Sequence, residues 1–324
     1  MNLSMKFALL TVALTALTVL DVACGTVSLT IGEIWAALTG GICDESVRHI
    51  VWHIRVLKAV VALLAGMALS VSGLQMQTLF RNPLAGPYVL GISAGAGLGV
   101  ALLLLTGLSS PFGIAAAAWI GAAGVFALIV AAGSRIKDIM VILILGIMLS
   151  SGIGAVVQIL QYLSQEEALK SYVLWTMGSL GEVTEPQLAL LAAAVTVGGA
   201  LAVLTVKPLN MLLLGEQYAR TMGLNMRRSR LLILISTTLL AGSVTAFCGP
   251  ISFIGLAMPH VARAMTRTAD HRILLPATAL IGAATLTACD LVSKLLVLPV
   301  NSITALVGIP IVVWVVIRNQ SFSA

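Results

Sequence analysis

The chain has 324 residues, of which 59% are hydrophobic and 9% charged, with a mean hydropathy of +1.08. A soluble domain carries about 25% charged residues, so the composition excludes a soluble enzyme or nucleic-acid-binding domain and leaves an integral membrane protein. The net charge of +6 (18 Lys and Arg against 12 Asp and Glu) is then a signal of orientation in the bilayer.

A bilayer core of about 30 Å needs about 20 apolar residues per helix. The apolar runs here are continuous instead of alternating, which selects helices over a barrel. The first predicted span covers residues 5–23. Its end, Asp21-Val22-Ala23-Cys24-Gly25, faintly resembles a lipoprotein cleavage site, but Asp21 sits badly there and many spans follow, so the helix reads as retained. Residues 25–50 are more polar, and the second span, 51–80, is long enough to tilt or to project from the membrane. It ends at Arg81-Asn82-Pro83-Leu84-Ala85-Gly86-Pro87, where two prolines remove backbone donors and force a turn. The third span (88–106) opens with Gly91, Gly95 and Gly97, a spacing that lets another helix approach closely.

The fourth span is 112–133 and the fifth 139–163, separated by a basic segment with Arg135 and Lys137. After a polar stretch at 164–186 comes the sixth span (187–206), then a basic loop, 207–230. The seventh span is 231–248, a short eighth at 251–265 is bounded by Pro250 and broken by Pro259, and the ninth and tenth are 273–295 and 303–317. The expectation is an all-α polytopic membrane protein of about ten transmembrane helices, one domain over 1–324, with both termini on one side. With that side cytoplasmic, thirteen of the 18 Lys and Arg fall inside, including Lys6, Arg81, Lys137, Arg227, Arg263 and Arg318, and five fall outside.

A shift of 176 residues aligns Leu63-Leu64-Ala65-Gly66 with Leu239-Leu240-Ala241-Gly242, Gly73 with Gly249, and Pro83 with Pro259, six matches in 21 positions. Helices 2–5 and 7–10 then read as a weak inverted repeat, a transporter architecture; chance matching of membrane-helix composition is the alternative. The four cysteines lack metal-ligand spacing and read as small buried apolar residues, with a Cys24–Cys43 bridge in one outer segment the alternative.

No lysine follows a glycine, so a Gly-Lys-Ser/Thr phosphate loop is absent, and any ATP-driven motor is another subunit. His49 and His53 are spaced i, i+4 without a carboxylate nearby in sequence and read as outer-surface histidines. His260, after Pro259, reads as a partner for backbone freed by the proline. On the fifth span Ser151, Gly154, Gln158, Gln161 and Tyr162 form one polar stripe, either lining a pathway or hydrogen bonding between helices. In the basic loop, Gly215, Glu216, Ala219, Arg220 and Gly223 outline a short helix with Leu214, Tyr218, Met222 and Leu224 available to a partner or to anionic lipid. Near the outer ends Arg55, Lys58 and Lys294, with Asp290 one turn before Lys294, are placed to anchor headgroups or to receive an acidic partner.

Three motifs make the resemblance specific: Arg81-Asn82-Pro83-Leu84-Ala85, Leu214-Gly215-Glu216 through Ala219-Arg220 to Gly223-Leu224, and Gly249-Pro250-Ile251-Ser252-Phe253-Ile254-Gly255-Leu256-Ala257-Met258-Pro259-His260. With Asp290-x-x-x-Lys294 and Pro299…Gly308-Ile309-Pro310, the chain resembles the FecCD-type permeases of ATP-binding-cassette importers for iron-siderophore, haem and cobalamin. The resemblance implies a homodimer with the path between copies, two cytoplasmic ATPase subunits holding ATP and Mg, no cofactor on this chain, and a periplasmic or lipid-anchored binding protein. It places the ATPase contact at 215–223 and docking of the binding protein at Arg55, Lys58 and Lys294. Leu57 stands where the family has the proline of an outer bend, and Asn301 where it favours glycine, a substitution that asparagine's tolerance of positive φ allows. The rival is an ion-gradient-driven secondary transporter, which would keep membrane carboxylates for coupling and has Asp290 as its candidate.

Overall fold

The computed structural model describes residues 2–25, 27–107, 113–136 and 138–320. Among them the chain forms fourteen helices and no strand. These are α1 (Leu3–Ala23), α2 (Ile31–Thr39), α3 (Glu45–Leu79), α4 (Ile92–Leu105), α5 (Gly113–Arg135), α6 (Ile139–Leu163) and α7 (Glu166–Thr176). They continue as α8 (Glu185–Leu204), α9 (Val206–Leu213), α10 (Glu216–Thr221), α11 (Met226–Cys248), α12 (Ile254–Thr266), α13 (His271–Leu296) and α14 (Val300–Gln320).

Seven are long and apolar enough to cross a membrane: α1, α3, α5, α6, α8, α11 and α13. The remaining three expected spans correspond to α4, α12 and α14. The 14 residues of α4 and 13 of α12 rise only about 20 Å at 1.5 Å per residue, short of a bilayer core. The difference at α4 comes from its entry. The third span was expected from residue 88, but the helix starts at Ile92, after turns through 80–91 whose Ala85 and Leu90 are buried. Non-helical backbone at membrane depth is tolerated where protein covers it. Conversely, Pro259 lies inside α12 and does not break it. The expected alignment of Pro83 with Pro259 therefore pairs a turn proline with a helical one. Lys137 lies outside the described residues.

Helix starts follow local chemistry. Thr30 and Glu33 form a capping box at α2, and the hydrogen bonds from Thr30 hold the Glu33 carboxyl below its ordinary range. Thr184 and Gln187 do the same at α8, and Asp138 accepts from Met140 N at 2.9 Å to start α6. Helix α3 is one 35-residue rod. The helix is continuous through Leu57. Its outer end, Ile50–Val56, is wound as a π-helix.

The centre is α3, packed on α13, α12, α11 and α8. One apolar core joins these helices through Leu69, Leu240, Val244, Ile281 and Leu286. A second gathers α4–α6 against the end of α3 through Phe80, Ile92, Val100, Ile129 and Ile233. Close approach rests on glycine: a Cβ added at Gly73 would stand 1.7 Å from the Gly255 carbonyl oxygen, so α3 and α12 touch backbone to backbone there. Within the membrane, Gln75 Nε2 donates to Thr205 Oγ1 at 3.1 Å, and Thr237 Oγ1 donates to Gln75 Oε1 at 3.2 Å, joining α3 to α11 and to the Thr205 junction after α8.

Candidate functional site

The basic loop folds as two short helices beneath the body. The first, α9, turns on Asn210, whose Nδ2 donates to Asp270 Oδ1 at 2.6 Å while its Oδ1 accepts from His271 N at 2.9 Å. Asp270 also caps α13 through Arg272 N at 2.9 Å, and these bonds hold its carboxyl below the usual range. Spacing along the sequence offered no sign of this clasp, which joins residues 60 apart.

Gly215 precedes α10 as its N-cap residue. Glu216 pairs with Arg230 at the start of α11 and lies 3.8 Å from Arg220. At the far end Leu224 N donates to Ala219 O and Gly223 N to Arg220 O, both at 3.0 Å, a Schellman stop with Gly223 at φ +83°. The helix buries Ala219 completely against the body and turns Leu214, Tyr218 (66% exposed) and Met222 outward. The expected short helix is therefore there with Leu214, Tyr218 and Met222 presented, whereas Leu224, expected beside them, is half-buried against the second core.

The turn after α3 reaches the same region. Arg81 has φ +49°, and its Nη1 would lie 3.9 Å from a Cβ at Gly215. Asn82 Oδ1 accepts from Leu84 N at 2.9 Å, and Pro83 O accepts from His260 Nε2 at 2.8 Å. His260 thus braces the turn instead of freed backbone in its own helix. Gly249 and Pro250 make the turn from α11 to α12. Asn301 Oδ1 accepts from Ser252 N at 2.9 Å, and the left-handed residue before α14 is Val297 (φ +53°), where positive φ had been expected at Asn301.

The three outer cations are engaged within the chain. Arg55 is 4% exposed and donates to three carbonyls, two in the last turn of α1 (Val22 O at 3.0 Å and Ala23 O at 2.7 Å) and one in the segment after it (Val27 O at 2.6 Å). Lys58 Nζ lies 3.0 Å from Asp290 Oδ1. Lys294 Nζ lies 2.9 Å from Asp290 Oδ2 and 2.8 Å from Asp21 Oδ1. Two lysines meet two buried aspartates, so the group is neutral and turned inward. Charge in low dielectric must be paired where it stands, and each of these cations finds its partner within the chain. Asp290 with Lys294 was legible as an i, i+4 pair; Asp21 was not, being 273 residues from its partner.

Along α6, Ser151, Gln158 and Tyr162 (89% exposed) face away from the chain's own core, with Gly154 and Gln161 half-exposed beside them. Ser151 Oγ satisfies itself on Ile147 O at 3.1 Å. On the outer side His53 Nδ1 pairs with Glu185 Oε1, and the His49 and His53 rings lie 4.8 Å apart. Among the described residues no group of three or more His, Cys, Asp or Glu is placed to hold a metal ion. All four cysteines are free thiols, Cys248 and Cys289 buried, so the Cys24–Cys43 bridge does not form.

A bundle of membrane-crossing helices around a central glycine-packed rod, with an apolar helix presented beneath it, defines a polytopic permease. The sequence pattern of the FecCD transport family matches residues 13–318, and the chain belongs to that family. It is 35% identical over 306 residues to the hemin transport system permease HmuU of Yersinia pestis, covering 91% of this chain and 90% of the relative. It is also 35% identical over 300 residues to the vitamin B12 import system permease BtuC of Klebsiella pneumoniae, again covering 91% and 90%. A solved structure described as an inward-facing conformation of a metal-chelate type ABC transporter superposes with TM-score 0.86 at 28% identity, covering 98% of this chain and 100% of that one. The chain is a permease subunit of an ABC importer.

Proposed function

We propose that the whole chain, 1–324, works as one domain: the membrane conduit through which a metal chelate such as an iron-siderophore, haem or cobalamin enters a bacterial cell across the cytoplasmic membrane. The observation that carries the reading is α10. A six-residue helix capped at both ends, pinned to α11 by Glu216–Arg230 and showing Tyr218 and Met222 outward, is built as a rigid knob for a partner. The partner is a cytoplasmic ATP-binding subunit, one for each of two copies of this chain. ATP and Mg belong to that subunit, and this chain binds no cofactor and carries out no covalent step. Both termini lie on the cytoplasmic side with α10. A periplasmic or lipid-anchored binding protein delivers the chelate, which passes between two copies along the outward-turned stripe of α6.

The gradient-driven alternative needs a membrane carboxylate free to load and unload an ion. Asp21 and Asp290 are both held by lysines, which argues against it. Reconstitution tests the reading. Uptake of chelate into proteoliposomes is expected only when the ATP-binding subunits and ATP are present, and uptake by this chain alone would overturn it.

A further inference from the structure

A cavity of about 400 Å³ opens between the turn after α3, the end of α9, α12 and α14. Its lining combines polar side chains (Gln77, Thr78, Arg81, His260 and Arg263) with an apolar part (Pro83, Leu212, Leu213 and Val315). The guanidiniums of Arg81 and Arg263 both line it. Among the described residues no carboxylate lies within 4.0 Å of either. Arg263 donates to the neutral Gln77 Oε1 at 2.6 Å, and that glutamine is fixed in turn by Leu256 O at 2.9 Å. Elsewhere in this chain Arg230, Lys58 and Lys294 all have acidic partners, and Arg55 has three carbonyls. The half-buried Arg263, facing the cavity without a counter-charge, costs free energy that an anion there would offset, and the exposed Arg81 lines the same cavity as a second guanidinium.

We propose that this cavity is a binding site for a phosphate group, gripped by Arg81 and Arg263. Guanidinium forks match phosphate oxygens in pairs and form the stronger, charge-assisted class of hydrogen bond. The apolar part suits the glycerol and first methylenes of a phospholipid, whose headgroup would come from the inner leaflet; free phosphate has the same chemistry at the guanidiniums. Occupancy would also steady the loop that carries α10, since Arg81 lies beside Gly215. The orientation proposed above decides only which leaflet supplies the lipid, so the site stands or falls separately from the transport reading.

The test is thermal unfolding of the full-length chain in neutral detergent, titrated with phosphatidylglycerol, with phosphatidylcholine or with inorganic phosphate, at ionic strength matched with sodium chloride. A ligand that binds the folded state raises the melting temperature with concentration. Phosphatidylglycerol raising it without inorganic phosphate doing so assigns the site to lipid, and inorganic phosphate alone sufficing assigns it to the free anion. In either case Arg81→Gln is expected to weaken the effect about tenfold, and Arg81→Lys to recover part of it. Arg81 is exposed, so its variant tests the site even where Arg263→Gln fails to fold. No stabilisation by either probe, an equal effect of sodium chloride, or an undiminished effect in Arg81→Gln overturns the proposal. So does finding that Arg81→Gln only lowers affinity for the ATP-binding subunit, which would make the cavity a socket for an acidic side chain.

Discussion

Lys294 Nζ stands 2.8 Å from Asp21 Oδ1, tying the last turn of α13 to the last turn of α1 inside the fold. Breaking a buried pair by removing one partner leaves a bare charge, at a cost of about 3–5 kcal/mol. Lys294→Met or Asp21→Asn is therefore expected to lower stability by that order in denaturant titration. The double variant Asp21→Leu/Lys294→Met, which keeps Lys58 with Asp290, should recover most of the loss. Equal damage in the double variant would show that the pair does not act as a unit.

Arg55 holds the chain leaving α1 by three carbonyls. Charged hydrogen bonds contribute about 1.5–3 kcal/mol each. Arg55→Leu should loosen the segment after α1 and speed maleimide labelling of the half-buried Cys24 severalfold. Labelling at the unaltered rate would remove the clamp.

At Gly73 the helices have no room for a methyl group, whereas at Gly124 an added Cβ meets nothing within 4 Å. Gly73→Ala should destabilise by at least the 1–3 kcal/mol typical of overpacking, and Gly124→Ala should stay within about 0.5 kcal/mol. Melting curves of the two side by side decide it.

The knob at α10 predicts a separation of folding from coupling. Tyr218→Ala removes an exposed side chain and should leave melting unchanged while lowering ATP-dependent uptake and substrate-stimulated ATPase in the reconstituted complex. Gly223→Ala forces alanine to φ +83°, at a cost of about 1–2 kcal/mol, and should impair both coupling and local stability. Normal uptake in both variants would mean that this loop does not transmit the motor's stroke.

Asp270 supplies an acid dependence. Its hydrogen bonds favour the charged form and hold the folded-state carboxyl below the ordinary value of about 3.9. Stability from this group is present above the unfolded value and is lost as pH falls through the folded one. Asp270→Asn, itself a competent cap, should match the parent near pH 7 and lose less between pH 5 and pH 3 in melting experiments.

The membrane class, the all-helical fold and the order of the long spans were legible because long apolar runs and proline turns act locally, but ten spans were expected where seven of the fourteen described helices are long and apolar enough to cross. Also legible was α10, whose Gly215 and Gly223 mark both ends. The partners of Arg55, Lys58 and Lys294 were legible only in part: Asp290 stands one turn before Lys294, whereas Asp21 and the carbonyls that Arg55 binds lie far from them in sequence and become visible only when the chain folds. Asp21 carried a trace of the answer, since it spoiled a cleavage pattern and so required some other use. The π-helical Ile50–Val56 left no mark in the apolar pattern, because the register change alters which way Arg55 points and not which residues are apolar.

The quartet Asp21, Lys58, Asp290 and Lys294 also constrains motion. Sliding α1 or α13 by a single turn, about 5.4 Å, would part a buried lysine from its aspartate. Those two helices and α3 must consequently travel as a riveted frame, and whatever rocking opens and shuts the conduit is left to the helices that carry no such fastening.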